Sequence, residues 1–165
     1  MHFLNIFQYA KLSIIESIAQ ELMLTNEVSQ DFGLSLSPQE ARGIVTARES
    51  TLKDYDRVEL DTEILNKLIL SLCTSPYLQQ SEYVDTINEL HELFHYIKNE
   101  LDDHIGDDEL IEKLSFLFTH VCHGDLELLK GRETERIIRQ YHFGNEPDED
   151  PEAENDDENQ DDWEG

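Results

Sequence analysis

Tyr83-Val84-Asp85-Thr86-Ile87-Asn88-Glu89-Leu90-His91-Glu92-Leu93-Phe94-His95-Tyr96-Ile97-Lys98-Asn99-Glu100-Leu101 is the stretch that decides the fold class. Tyr83, Ile87, Leu90, Phe94, Ile97 and Leu101 recur at alternating steps of four and three. A strand would repeat its apolar positions every second residue, whereas these steps bring them onto one stripe of an α-helix. A stripe of this kind is a seam that needs another helix against it. The spacing predicts a long helix from about Ser81, set in a bundle.

The flanking segments read the same way. Upstream, Asp61 can cap a helix carrying Ile64, Leu65, Leu68, Ile69 and Leu72, which must end by Ser75 because Pro76 disfavours helix there. Ser37-Pro38-Gln39-Glu40 is a helix start: Ser37 caps, Pro38 fits the first turn and Glu40 reaches back to close a capping box. The helix that follows should bury Ala41, Ile44, Val45 and Leu52 and run to about Asp56, with Gly43 marking a close helix crossing. Ile14, Ile18 and Leu22 predict a first helix over about residues 11–32, closed by Gly33. The apolar residues before it could extend it or pack as a separate arm. Only Arg57-Val58-Glu59-Leu60 alternates like a short strand.

Downstream, Gly106 breaks the chain and Asp107 or Asp108 can cap a helix with Leu110, Ile111, Leu114, Leu117 and Val121 inward. His123-Gly124 ends it. Asp125–Leu129 is a short helix or turn, Gly131 interrupts, and a last helix carries Ile137, Ile138 and Tyr141. The expectation is an all-α compact bundle of about five or six helices.

Composition divides the chain. Residues 145–165 hold twelve Asp/Glu, no Lys or Arg, and only Ala153 and Trp163 as apolar side chains. Too little apolar surface is available there to offset ordering entropy, so a disordered acidic tail is expected. Residues 1–144 should form one helical domain, with 1–33 as an N-terminal helical arm and 34–144 as the main bundle. Of the 38 acids, 26 remain in that domain against all 12 bases, a net charge of −14. Such a surface repels phosphate backbones, which disfavours direct nucleic-acid binding. Cys73 and Cys122 are too few for a disulfide framework, and residues 1–7 lack the basic flank and the length of a signal peptide or membrane span. A cytoplasmic location follows, with no membrane association.

Ser37-Pro38-Gln39-Glu40-Ala41-Arg42, Arg57-Val58-Glu59-Leu60, Ser75-Pro76-Tyr77-Leu78, Phe94-His95-Tyr96-Ile97-Lys98-Asn99-Glu100, Asp107-Asp108-Glu109-Leu110-Ile111 and Leu126-Glu127-Leu128-Leu129 follow one another over residues 30–131. In order and spacing they resemble an uncharacterised bacterial family, mainly of Firmicutes, known only as a domain of unknown function. The resemblance implies a compact helical domain and no particular activity. It leaves out the N-terminal stretch and the tail.

One chemical motif lies in the long helix. His91-Glu92-Leu93-Phe94-His95 is H-E-x-x-H, in which two imidazoles one turn apart grip zinc and the glutamate activates its water. A catalytic zinc needs a third protein ligand and an open position. The spacings that usually supply one are filled by Lys98, Leu101 and Ser115, while Glu109 and Glu112 fall short. The helical wheel puts His91 at the edge of the core and His95 and Glu92 in water. His120-Val121-Cys122-His123 could offer soft ligands, but its histidines suit a helix C-terminus. His104 reads as a loop residue. No catalytic, cofactor-binding or metal-ligating residue is therefore assigned, and no cofactor is expected.

The reading that remains is a non-enzymatic cytosolic protein acting through contacts with an unidentified, possibly basic, protein. Residues 3–9 and the tail with Trp163 are the candidate surfaces. The alternative is a zinc-dependent hydrolase with the ion on His91 and His95 and Glu92 as base. A third option is an acidic mimic of nucleic acid that binds a basic protein. The oligomeric state stays open.

Overall fold

The computed structural model describes residues 3–143, and the acidic tail expected over 145–165 lies outside them. Among the described residues the protein is all-α and holds no strand. Six helices follow in order: α1 (Phe3–Leu22), α2 (Pro38–Asp54), α3 (Glu63–Leu72), α4 (Tyr83–Glu100), α5 (Asp107–Phe116) and α6. The sixth is Leu126–Leu128, a π turn at Leu129–Glu133 and Thr134–His142 in unbroken succession.

The seam of α4 is the middle of the molecule. Tyr83, Ile87, Leu90, Phe94, Ile97 and Leu101 are all buried, and the same apolar cluster takes in residues from Ala19 to Ile137. α2 packs against both α1 and α4, and α3 packs against α4 and α5. The capping box at α2 forms as expected: Glu40 N donates to Ser37 Oγ at 3.1 Å, and Ser37 N donates to Glu40 Oε1 at 2.9 Å. Gly33 closes the first helical region in the left-handed conformation, φ 84°.

Several local expectations are corrected. The first helix begins at Phe3 rather than near residue 11, so its upstream apolar residues extend it, and after Leu22 it gives way to short turns. α2 ends at Asp54, and Gly43 faces open space instead of a crossing helix. Gly106, not Asp107 or Asp108, caps α5, because the two aspartates turn to Lys98 and Lys67, each at 2.7 Å. Gly131 does not break the last helix, since the π turn carries it through. Arg57–Leu60 forms no strand but runs as an irregular segment between α2 and α3. Its alternation is real and inverted: Val58 is 81% exposed and Leu60 93%, while Glu59 turns inward.

Gly124 is fixed by packing as well as by its φ of 84°. A Cβ there would lie 2.8 Å from Tyr77 Cβ, so the turn after α5 can close onto the α3–α4 connection only without a side chain.

Candidate functional site

The i, i+4 spacing of His91 and His95 on α4 puts both rings on one face, beside the seam. Their centroids are 4.8 Å apart at 71°, and Phe94 packs its edge against His95 at 5.0 Å. Both rings are buried, His91 2% exposed and His95 5%. This corrects the expectation that His95 stands in water. The segment between α2 and α3 folds over this face and supplies what the sequence did not reveal, a further donor reaching both rings.

That donor is Glu59, whose side chain is 7% exposed. His91 Nε2 lies 2.8 Å and His95 Nε2 2.5 Å from the same oxygen, Oε2. An ionised carboxylate only accepts, so both Nε2 atoms carry the hydrogen and donate. The other oxygen, Oε1, accepts from Arg48 Nε at 3.0 Å. Arg48 is itself buried on α2. Its Nη2 donates to the carbonyls of Glu59 at 2.7 Å and Asp61 at 2.8 Å, and its Nη1 to Glu49 Oε1 at 2.8 Å. One guanidinium thus fixes both the carboxylate and the backbone that carries it.

Burial pushes the Glu59 carboxyl up. Hydrogen bonds from His91 and His95, the charge of His91 and the bond from Arg48 outweigh that and hold it well below the ordinary carboxylate range. A carboxyl with its folded pKa depressed contributes stability above its unfolded value, 4.5, and loses it as pH falls toward the folded pKa. In metal-free protein, the stability difference between wild type and Glu59→Gln should therefore shrink steadily as pH falls below 4.5. Denaturant titrations of both proteins across that range check it. A difference that stays flat to pH 3 would contradict the depressed carboxyl.

Among the described residues, Glu59, His91 and His95 are the set whose donor atoms, all within 4.8 Å of one another, could hold a metal ion. The remaining candidates do not join them. Glu92 is exposed and lines a cleft with Tyr55, Glu89, Leu93, Tyr96 and Lys130, a lining that includes none of the three. His120 is exposed and tilts against Phe116, while His123 pairs its Nδ1 with the Tyr77 hydroxyl at 3.1 Å. Cys122 is buried and free, and His104 is exposed. Glu109 accepts from the Tyr141 hydroxyl, Glu112 is exposed, and Ser115 donates to the Ser71 carbonyl at 2.9 Å.

The sequence reading missed Glu59 and Arg48. Val58 and Leu60 flank Glu59, and the alternation by itself reads only as a short strand. The signal that could have found it is the histidine pair, two buried donors on one helix face that call for an acceptor from elsewhere.

A family described as a family of unknown function (DUF6323) matches residues 21–147, a span that contains Arg48, Glu59, His91 and His95 and begins near the end of α1. No curated protein and no solved structure matches the chain.

Proposed function

The chain belongs to that family of unknown function, and we propose that it is a non-enzymatic helical protein that works through protein–protein contacts of its N-terminal helix. The observation that carries this reading is the exposure of α1 over residues 6–14. Ile6, Phe7, Tyr9, Leu12 and Ile14 are all exposed and spread over more than half of the helix circumference, and only from Ile15 onward does α1 meet the core. So wide an apolar surface on a helix is normally covered. A free stretch under about 12–15 residues is also marginally helical in water. Both arguments ask for a covering surface. Lys11 is the one charged residue between positions 6 and 15, while residues 1–144 carry a net −14. The fitting partner is thus a protein with an apolar groove rimmed by basic residues. The proposed compartment is the cytosol, in keeping with two free, buried thiols. No helix among the described residues is long and apolar enough to cross a membrane.

The hydrolase reading has one observation in its favour, the third donor Glu59. Against it stands access: both histidines and the Glu59 side chain are largely out of solvent, and Glu92 opens onto a cleft that they do not line.

The test is affinity capture from cell extract with wild type, a Phe7→Asp/Leu12→Asp variant and a chain lacking residues 145–165. The reading expects one protein held by the wild type and the tail-less chain and released by the arm variant. If purified wild type is dimeric and the arm variant monomeric, the groove belongs to a second copy. A partner held equally by all three chains would overturn the assignment to α1.

A further inference from the structure

We propose that Glu59, His91 and His95 form a binding site for one divalent transition-metal ion, of the class that takes two imidazoles and a carboxylate, such as zinc or ferrous iron. This inference is independent of the arm: the site lies inside residues 21–147, and the exposed stretch of α1 lies before them.

Four features of the site carry it. Three donor atoms from two separate segments converge within 4.8 Å, and each belongs to a side chain at least nine-tenths buried. The two histidines present Nε2 from successive turns of one rigid helix, the spacing that seats two ligands on one ion. The carboxylate is prepared for one-oxygen ligation. Arg48 Nε holds Oε1 at 3.0 Å, leaving Oε2 to face the rings, and ligating carboxylates are characteristically steadied by such outer hydrogen bonds. The last feature is the inverted segment. Turning Glu59 inward leaves Val58 and Leu60 almost fully in water, the reverse of what burial alone would select. Departures of this kind from local rules gather at functional sites.

The donor chemistry selects the ion. Magnesium and calcium prefer all-oxygen shells, whereas two imidazole nitrogens suit zinc and its first-row neighbours. Loading exchanges the two N–H···O contacts for metal bonds. Neighbouring donors around an ion at about 2.0–2.2 Å sit roughly 3 Å or more apart, so Oε2 must withdraw by a few tenths of an ångström. Each ring must bare Nε2 and carry its proton on Nδ1. The Nδ1 of His95 is buried without a hydrogen-bond partner, so taking that proton breaks no bond there and leaves its N–H without an acceptor. An ion held there ties the 57–61 segment to α4.

The experiment uses full-length, untagged protein stripped with chelator, at physiological salt with excess magnesium to occupy surface carboxylates. Zn²⁺ is followed by calorimetry and Co²⁺ by its visible absorption. The proposal expects one equivalent bound, with a cobalt band. In His91→Gln and His95→Gln, checked for fold by circular dichroism, binding should weaken by more than the roughly 10–100-fold that loss of an outer-shell partner costs. Glu92→Gln should bind as wild type does. If the histidine variants fail to fold, cobalt-loaded wild type decides, by paramagnetically shifted ring protons from two histidines. Absence of binding by wild type, undiminished binding in folded histidine variants, loss in Glu92→Gln, or no shifted histidine signals would each overturn the site.

Discussion

Replacing Glu59 with alanine is expected to remove about 3–5 kcal/mol of folding stability, the usual cost of taking one partner out of a buried charge cluster. The variant leaves Arg48 buried beside a vacated space, with its Nε unpaired and both histidine Nε2–H groups without an acceptor. Domains of this size have about 5–15 kcal/mol in total, so the variant loses a large share. Guanidinium denaturation followed by circular dichroism measures it. A second variant separates charge from packing. Arg48→Met added to Glu59→Ala should cost less than the sum of the two single changes, because each single change already breaks the Arg48–Glu59 bond that the two residues share. A Glu59→Ala loss under about 1 kcal/mol would mean that the segment is held by something other than this cluster.

Phe94→Ala should cost a comparable amount, about 3–5 kcal/mol. Phe94 is 1% exposed in the middle of the α4 seam, with close-packed neighbours that cannot collapse fully into the space of a lost ring. It also stands edge-on to His95 at 5.0 Å, so the variant loosens one wall of the histidine site. Its loss should raise hydrogen exchange along α4 together with the fall in stability. A stable variant with unchanged exchange would contradict the placement of the seam at the centre of the core.

The two variants mark the boundary of what could be read from the chain. The seam was legible because helical period and burial coincide: six apolar residues at steps of four and three all reach the core. The capping box was legible because its donors and acceptors lie three residues apart. Glu59 was not, because its partners are eleven residues back on α2 and 32 and 36 residues ahead on α4. No local period encodes such a meeting. Hydropathy argued for the opposite face, since Val58 and Leu60 should outcompete a carboxylate for the interior unless three donors already wait there. The same reasoning sent His95 into water, because the wheel knows one helix and not the segment laid over it. Gly131 misled for another reason: a π turn absorbs it without ending the helix.

The most direct measurement is a long-range proton–nitrogen NMR correlation of the imidazoles in metal-free protein near neutral pH. The account predicts that His91 and His95 both carry hydrogen on Nε2, with slowly exchanging, downfield ring protons that disappear in Glu59→Ala. Rings that exchange freely with water, or that carry their protons on Nδ1 alone, would contradict the convergence of both histidines on a single carboxylate oxygen.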